Sequence, residues 1–194
     1  MLLLSAACVG DDGTGYVEAR FDPPECPIGE VNDSLKLLRY EAGWLATERY
    51  LGVIYLQVYD HQVRLEETDG LSIRVPVQDL VDRGLLVLDP VRDRLVRADE
   101  SQPLSLPVGL GQEELNASFS LYLTCPDQPS FPAIGTLLLN DFVLAAEGED
   151  TGVDEHVQGS FTATLTRSLE GPVVGQLRSE FDFLPPRQPL ATFK

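Results

Sequence analysis

Apolar and polar residues alternate over most of this chain, and the period is two. Leu51-Gly-Val-Ile-Tyr-Leu-Gln-Val-Tyr59 is rich in β-branched and aromatic residues and predicts a strand. Leu71, Ile73, Val75 and Val77 share one face of a second strand, which Pro76 drives toward an edge or an end. From Leu115 to Cys125 the alternation aligns Phe119, Leu121 and Leu123 with Cys125. Ile134–Ala146 holds one long strand or two. His156–Arg167 aligns Phe161, Ala163 and Leu165. Val173–Phe183 aligns Val173, Gly175, Leu177, Ser179, Phe181 and Phe183. Ser168-Leu-Glu-Gly-Pro172 separates these last two and reads as a hairpin turn.

Helical periodicity is sparse. Val77-Gln-Asp-Leu-Val-Asp-Arg-Gly84 predicts a short helix stopped by Gly84. Leu35–Arg49 fits either a strand pair or a short helix, and Trp44 is expected as a core anchor. Val9–Glu25 is mostly Gly, Asp, Glu and Pro and reads as a tether, with strand character only at Tyr16–Phe21. Short strands at near-regular spacing predict an all-β fold: an antiparallel β-sandwich or small barrel, with a short helix and a flexible N-terminal tether. The length of 194 residues suits one folded domain, expected over 26–194.

Composition narrows the partners. The net charge of −17 argues against a nucleic-acid partner, because phosphate binding needs clustered Lys and Arg. It also argues against adsorption on anionic lipid. Hydrophobic residues at 43% and charged residues at 23% are ordinary globular values, so global disorder is excluded. No apolar run is long enough for a spanning helix.

The chain opens Met1-Leu-Leu-Leu-Ser-Ala-Ala-Cys8, followed by Val9-Gly-Asp-Asp-Gly-Thr-Gly15. An apolar run, two small residues, a cysteine and an abrupt polar segment resemble the end of a bacterial lipoprotein signal. The resemblance implies that Cys8 takes a diacylglyceryl group and becomes the mature N-terminus, with 1–7 a partial signal peptide and 8–25 a lipidated tether. Acylation contributes about 0.8 kcal/mol per buried CH₂, so several chains anchor firmly. Ser5 stands where that family usually has Leu, and Leu4 lies one place further out. Met1–Ala7 lacks a basic start and is shorter than the roughly 7–15 apolar residues of an export signal, which implies a start upstream. Val9, rather than Asp, follows the cysteine, and the resemblance then implies the outer membrane. The alternative is a cytosolic protein in which Cys8 is ordinary.

With Cys8 as the lipid site, Cys26 and Cys125 remain as an even pair. In an oxidising compartment they are expected to form a disulfide closing a loop of about 100 residues, worth up to ~4.7 kcal/mol on the chain-entropy model. Two buried free thiols are the alternative. The ending, Gly159-Ser-Phe-Thr-Ala-Thr-Leu-Thr-Arg167 and Gly175-Gln-Leu-Arg-Ser-Glu-Phe-Asp-Phe183, resembles the C-terminal hairpin of uncharacterised β-sandwich lipoproteins from high-GC Gram-negative bacteria. That resemblance implies an address and a fold, not an activity.

Catalytic signals are absent from the text. No G-x-S-x-G elbow occurs, and His61 and His156 read as solvated loop residues without metal-ligand spacing. In Glu147–Glu155, the acids Glu149, Asp150 and Asp154 around Gly152 offer a weak calcium loop. Asp89–Arg94 reads as an exposed charged turn. The expected function is a non-catalytic, membrane-anchored envelope lipoprotein without cofactor, a monomer whose partner is an envelope protein or glycan. One alternative is a calcium-dependent or carbohydrate-binding surface module using the acidic loop with Tyr59 and Phe131. The other is a hydrolase with an unrecognised site.

Overall fold

A computed structural model describes residues 12–27, 34–42, 44–50, 52–59, 69–89, 94–109, 115–121, 124, 130–145 and 155–184. These form twelve strands and one helix: β1 Asp12–Pro27, β2 Ser34–Glu41, β3 Trp44–Tyr50, β4 Val53–Tyr59, β5 Asp69–Pro76, α1 Val77–Asp82, β6 Leu86–Asp89, β7 Arg94–Arg97, β8 Leu104–Val108, β9 Asn116–Leu121, β10 Ser130–Ala145, β11 His156–Thr166 and β12 Val173–Leu184. All named strands pair antiparallel in one sheet, whose main path runs β2-β1-β12-β11-β10-β9-β5-β4-β3.

The alternation in the text becomes two faces, because successive side chains point to opposite sides of a strand. One inner row runs Phe21, Gly175, Leu165, Ala133, Ala117, Ile73 and Leu56 through seven neighbouring strands, and every member is buried. A parallel row sets Phe181 between Gly15 and Gly159. Placing large residues beside small ones lets the inner face close on itself without voids.

The sheet curls strongly into a half-barrel. Phe21 of β1 meets Phe131 of β10, three strands away on the path, with ring centroids 5.4 Å apart. The Tyr40 hydroxyl of β2 donates to the Val58 carbonyl of β4 at 3.3 Å, joining strands near the two ends of the path. Of the two expected architectures, the single curled sheet is the one observed, rather than two facing sheets.

β10 is the spine. One edge pairs with β11 from Ala133 to Val143. The other edge takes β9 at Ser130–Ala133, β8 at Gly135–Leu139 and β7 at Val143–Ala145 in turn. Gly135 lies where β10 passes close to β11: a Cβ there would stand 1.9 Å from the Thr162 carbonyl oxygen. The ladder slips at Leu139/Asp141, where Asn140 is the extra residue of a β-bulge.

Most expected elements appear. Ile134–Ala145 belongs to one long strand, with Ala146 outside the described residues, Leu35–Arg49 is two strands that stand at opposite ends of the path, and the last two strands form a hairpin closed by Arg167 N–H donating to the Pro172 carbonyl at 3.1 Å. Val77–Asp82 is helical, and Gly84 follows it with φ +68°, the left-handed stop that glycine adopts without penalty. Pro76 ends β5, so its missing N–H costs the ladder little there. Val173 is exposed, against the expected alignment, because the ladder slips between Leu165/Gly175 and Thr166/Val173: Val174 is the extra residue of a bulge there and is buried instead.

The expected tether needs correction. From Asp12 onward it is β1, a strand inside the sheet with β12 on one side and β2 on the other. Its glycines and acids mislead when read as composition. Gly13 and Gly15 both pack under the Phe183 ring, while Glu18 and Arg20 alternate with the buried Val17, Ala19 and Phe21. Cys8, His61, Cys125, Glu149, Asp150 and Asp154 lie outside the described residues, as do the side chains of Cys26 and Trp44.

Candidate functional site

Two polar clusters stand on the outer face of the sheet, and both are assembled by register rather than by local sequence. The first is built on His156, the first residue of β11. Its Nδ1 lies 2.7 Å from Asp141 Oδ2 of β10, and its Nε2 lies 2.8 Å from Asp182 Oδ1 of β12. The bulge at Asn140 turns Asp141 to the outer side, where its Oδ1 also accepts from the Phe142 N–H at 2.9 Å. Gln158, two residues along β11, donates to the other Asp182 oxygen at 2.7 Å.

The reading of His156 as a solvated loop residue is thereby corrected: it is a strand residue clamped between two carboxylates. Partial burial lowers the imidazole pKa, but hydrogen bonds and charge from Asp182 and Asp141 outweigh it and hold the pKa above its ordinary value. The hydrogen bond from His156 pulls Asp182 below the usual carboxylate range, against a smaller effect of burial. The arrangement favours an imidazolium donating at both nitrogens. A histidine in that state has no lone pair with which to take a proton from a hydroxyl.

The second cluster surrounds Glu18 of β1. Its side chain is only 7% exposed although it faces outward, because three guanidinium groups cover it. Arg20 Nε and Arg178 Nε each lie 3.3 Å from Oε1. Arg39 Nη1 at 3.5 Å and Arg178 Nη2 at 3.4 Å reach Oε2. β1 sits between β2 and β12, and the register sets Glu18 opposite Arg39 on one side and Arg178 on the other. Burial raises the Glu18 pKa, but hydrogen bonds and charge from Arg20 and Arg178 prevail and keep it below its usual range. Tyr16 lies beneath two of the cations, 4.8 Å from Arg39 and 5.8 Å from Arg178, and donates its hydroxyl to Glu180 at 2.9 Å.

Two further polar anchors hold loops. Arg97 of β7 is buried, and its guanidinium donates to the carbonyls of Asp99, Glu100 and Gln102, fixing the turn into β8. Asp69, at the start of β5, accepts from the Thr124 N–H at 3.1 Å and from its hydroxyl.

Tyr59 and Phe131, expected as loop aromatics able to stack on a sugar, are corrected by their burial at 5% and 1% exposure in β4 and β10. Among the described residues no group of three His, Cys, Asp or Glu side chains is arranged to hold a metal ion. The sequence reading missed Asp141, Asp182, Glu18, Arg20, Arg39 and Arg178. A local signal existed only in part: Glu18 and Arg20 alternate with apolar residues, as do Arg178, Glu180 and Asp182. Which charges meet follows from strand order, with up to 160 residues between partners. Comparison with known proteins finds no matching family model, no matching curated protein and no matching solved structure.

Proposed function

We propose that this chain is a lipid-anchored, non-catalytic module of the bacterial cell envelope, held in the outer membrane through Cys8, that works by binding or as a structural part. The observation that carries this reading is the Leu4-Ser5-Ala6-Ala7-Cys8 motif followed four residues later by the first strand. Four peptide steps reach at most about 14 Å. An acyl group on Cys8 would hold the Asp12 end of the sheet, where His156 and Asp182 lie, near the bilayer surface. A second support is chemical: the one described histidine has both ring nitrogens engaged by carboxylates, a geometry suited to joining strands rather than to proton transfer. A disulfide between Cys26 and Cys125 would fit the same compartment.

The test is the intact mass of the protein extracted from membranes after expression with its native upstream DNA. The expected chain begins at Cys8, carries a diacylglyceryl-type adduct, and leaves the membrane fraction in the variant Cys8→Ala. Alkylation is expected to reach Cys26 and Cys125 only after reduction. A soluble chain beginning at Met1 with three alkylatable thiols would overturn the reading.

A further inference from the structure

An open groove of about 550 Å³ lies beside the Glu18 cluster, on the outer face of β1, β12, β11 and β10. Arg20, Arg178, Gln176, Thr162 and Thr164 line it, so hydrogen-bond donors from three adjacent strands converge there. Glu18 also lines it, but that carboxylate is covered and already serves the guanidiniums. Among the described residues, Arg20 reaches Glu18 through Nε alone and leaves both terminal nitrogens for a ligand, while Arg178 leaves Nη1. Two cations therefore face the groove against one masked anion. Glu180 is engaged by Tyr16, Glu41 by Arg39 at 3.6 Å, and Asp22 lines a neighbouring groove with Lys36.

We propose that this groove binds a small hydroxyl-bearing anion, an acidic sugar carrying a carboxylate or a phosphate. Guanidinium groups pair with either oxyanion through parallel N–H donors, and the threonine and glutamine side chains suit sugar hydroxyls. Glu18 holds two guanidiniums against the same oxygen, which reduces the ordering a ligand must impose on them. The net charge of −17 sets the size of the ligand. An extended polyanion or an anionic bilayer meets the repulsion of the whole molecule. A small anion meets only the charges within about one Debye length, roughly 10 Å at 0.1 M salt.

Calorimetric titration of the full chain with glucuronate, glucose 6-phosphate, inorganic phosphate and neutral glucose tests this, with flotation on phosphatidylglycerol vesicles as a separate arm. Glucuronate or glucose 6-phosphate should bind more tightly than inorganic phosphate or glucose, and more weakly as salt rises. Arg20→Gln should weaken that binding about tenfold, the loss of a charge-assisted hydrogen bond, and Thr164→Val by a smaller factor. Arg83→Gln, on the exposed turn after α1, should leave it unchanged. Absence of binding to both acidic sugars overturns the proposal, as does equal affinity in Arg20→Gln and the wild type. Inorganic phosphate binding as tightly as the sugars removes the sugar, and preference for the vesicles replaces a small ligand with a lipid surface. The groove does not involve Cys8, so these outcomes are independent of whether the chain is lipidated.

Discussion

His156 stores a pH dependence in the fold. Its folded pKa is raised, so the folded state binds the imidazole proton more tightly than the unfolded chain does. The stability this adds is complete below the unfolded value of about 6.5 and fades as pH rises through the folded one. Asp182 has the opposite sign: its lowered pKa adds stability that is present above about 3.9 and lost as pH falls through the folded value. The clamp is thus strongest in mildly acidic solution. His156→Gln should lower the unfolding free energy by about 1 kcal/mol near pH 5.5 and by little near pH 9. Urea denaturation at both values checks this, and a deficit equal at the two would show that the ring matters by packing alone. Ser179 poses a simpler question. It is 1% exposed on the inner face of β12, and its hydroxyl finds no hydrogen-bond partner among the described residues. Ser179→Ala should be neutral or stabilising by up to about 1 kcal/mol, because it removes an unpaired polar group from an apolar site. A loss of comparable size in the same denaturation experiment would mean that the hydroxyl is bonded.

Among the elements, β10 carries the most obligations, since four other strands pair along it. Two of its residues make that possible in different ways. Asn140 adds the bulge that turns Asp141 toward His156, and Gly135 removes the side chain that would strike the next strand. A side chain at 135 must push β10 and β11 apart, because its Cβ would meet backbone atoms that cannot rotate away. Gly135→Val should therefore cost about 3 kcal/mol, the upper part of the overpacking range, and should speed amide exchange along both strands. Unchanged exchange with wild-type stability would show that the two strands can separate cheaply.

For the molecule as a whole, curvature and charge work against each other. Curling brings Tyr40 to Val58 and Phe21 to Phe131 and buries a continuous inner face. It also confines a chain of net charge −17 to a small volume, which repels itself. The exposed ion pairs offset little of this, at about 0–1 kcal/mol each. Added salt should then stabilise. Between about 0.01 and 1 M the Debye length falls from about 30 to about 3 Å, and the Tm should rise over that range. A Tm that falls instead would mean that the Arg20, Arg39 and Arg178 network outweighs the self-repulsion.

The all-β class, the hairpin of β11 and β12 and the helix with its glycine stop follow from the sequence alone. Each depends on a period or on turn chemistry within a dozen residues, where side-chain direction is set by the backbone. Phe161 and Leu165 were legible as core for that reason, as were Leu71, Ile73 and Val75. Strand order was not legible, because it depends on contacts between residues far apart in the chain. The misreading of β1 as a tether shows the cost: Gly13 and Gly15 signal flexibility by composition, yet in the sheet the Phe183 ring lies where a side chain on either would begin. The same limit hid both polar clusters. Asp141, His156 and Asp182 each occur in an unremarkable stretch of text, and so do Glu18, Arg39 and Arg178. Only the register of neighbouring strands, set by tertiary packing of the inner face, brings their outer side chains within hydrogen-bond distance.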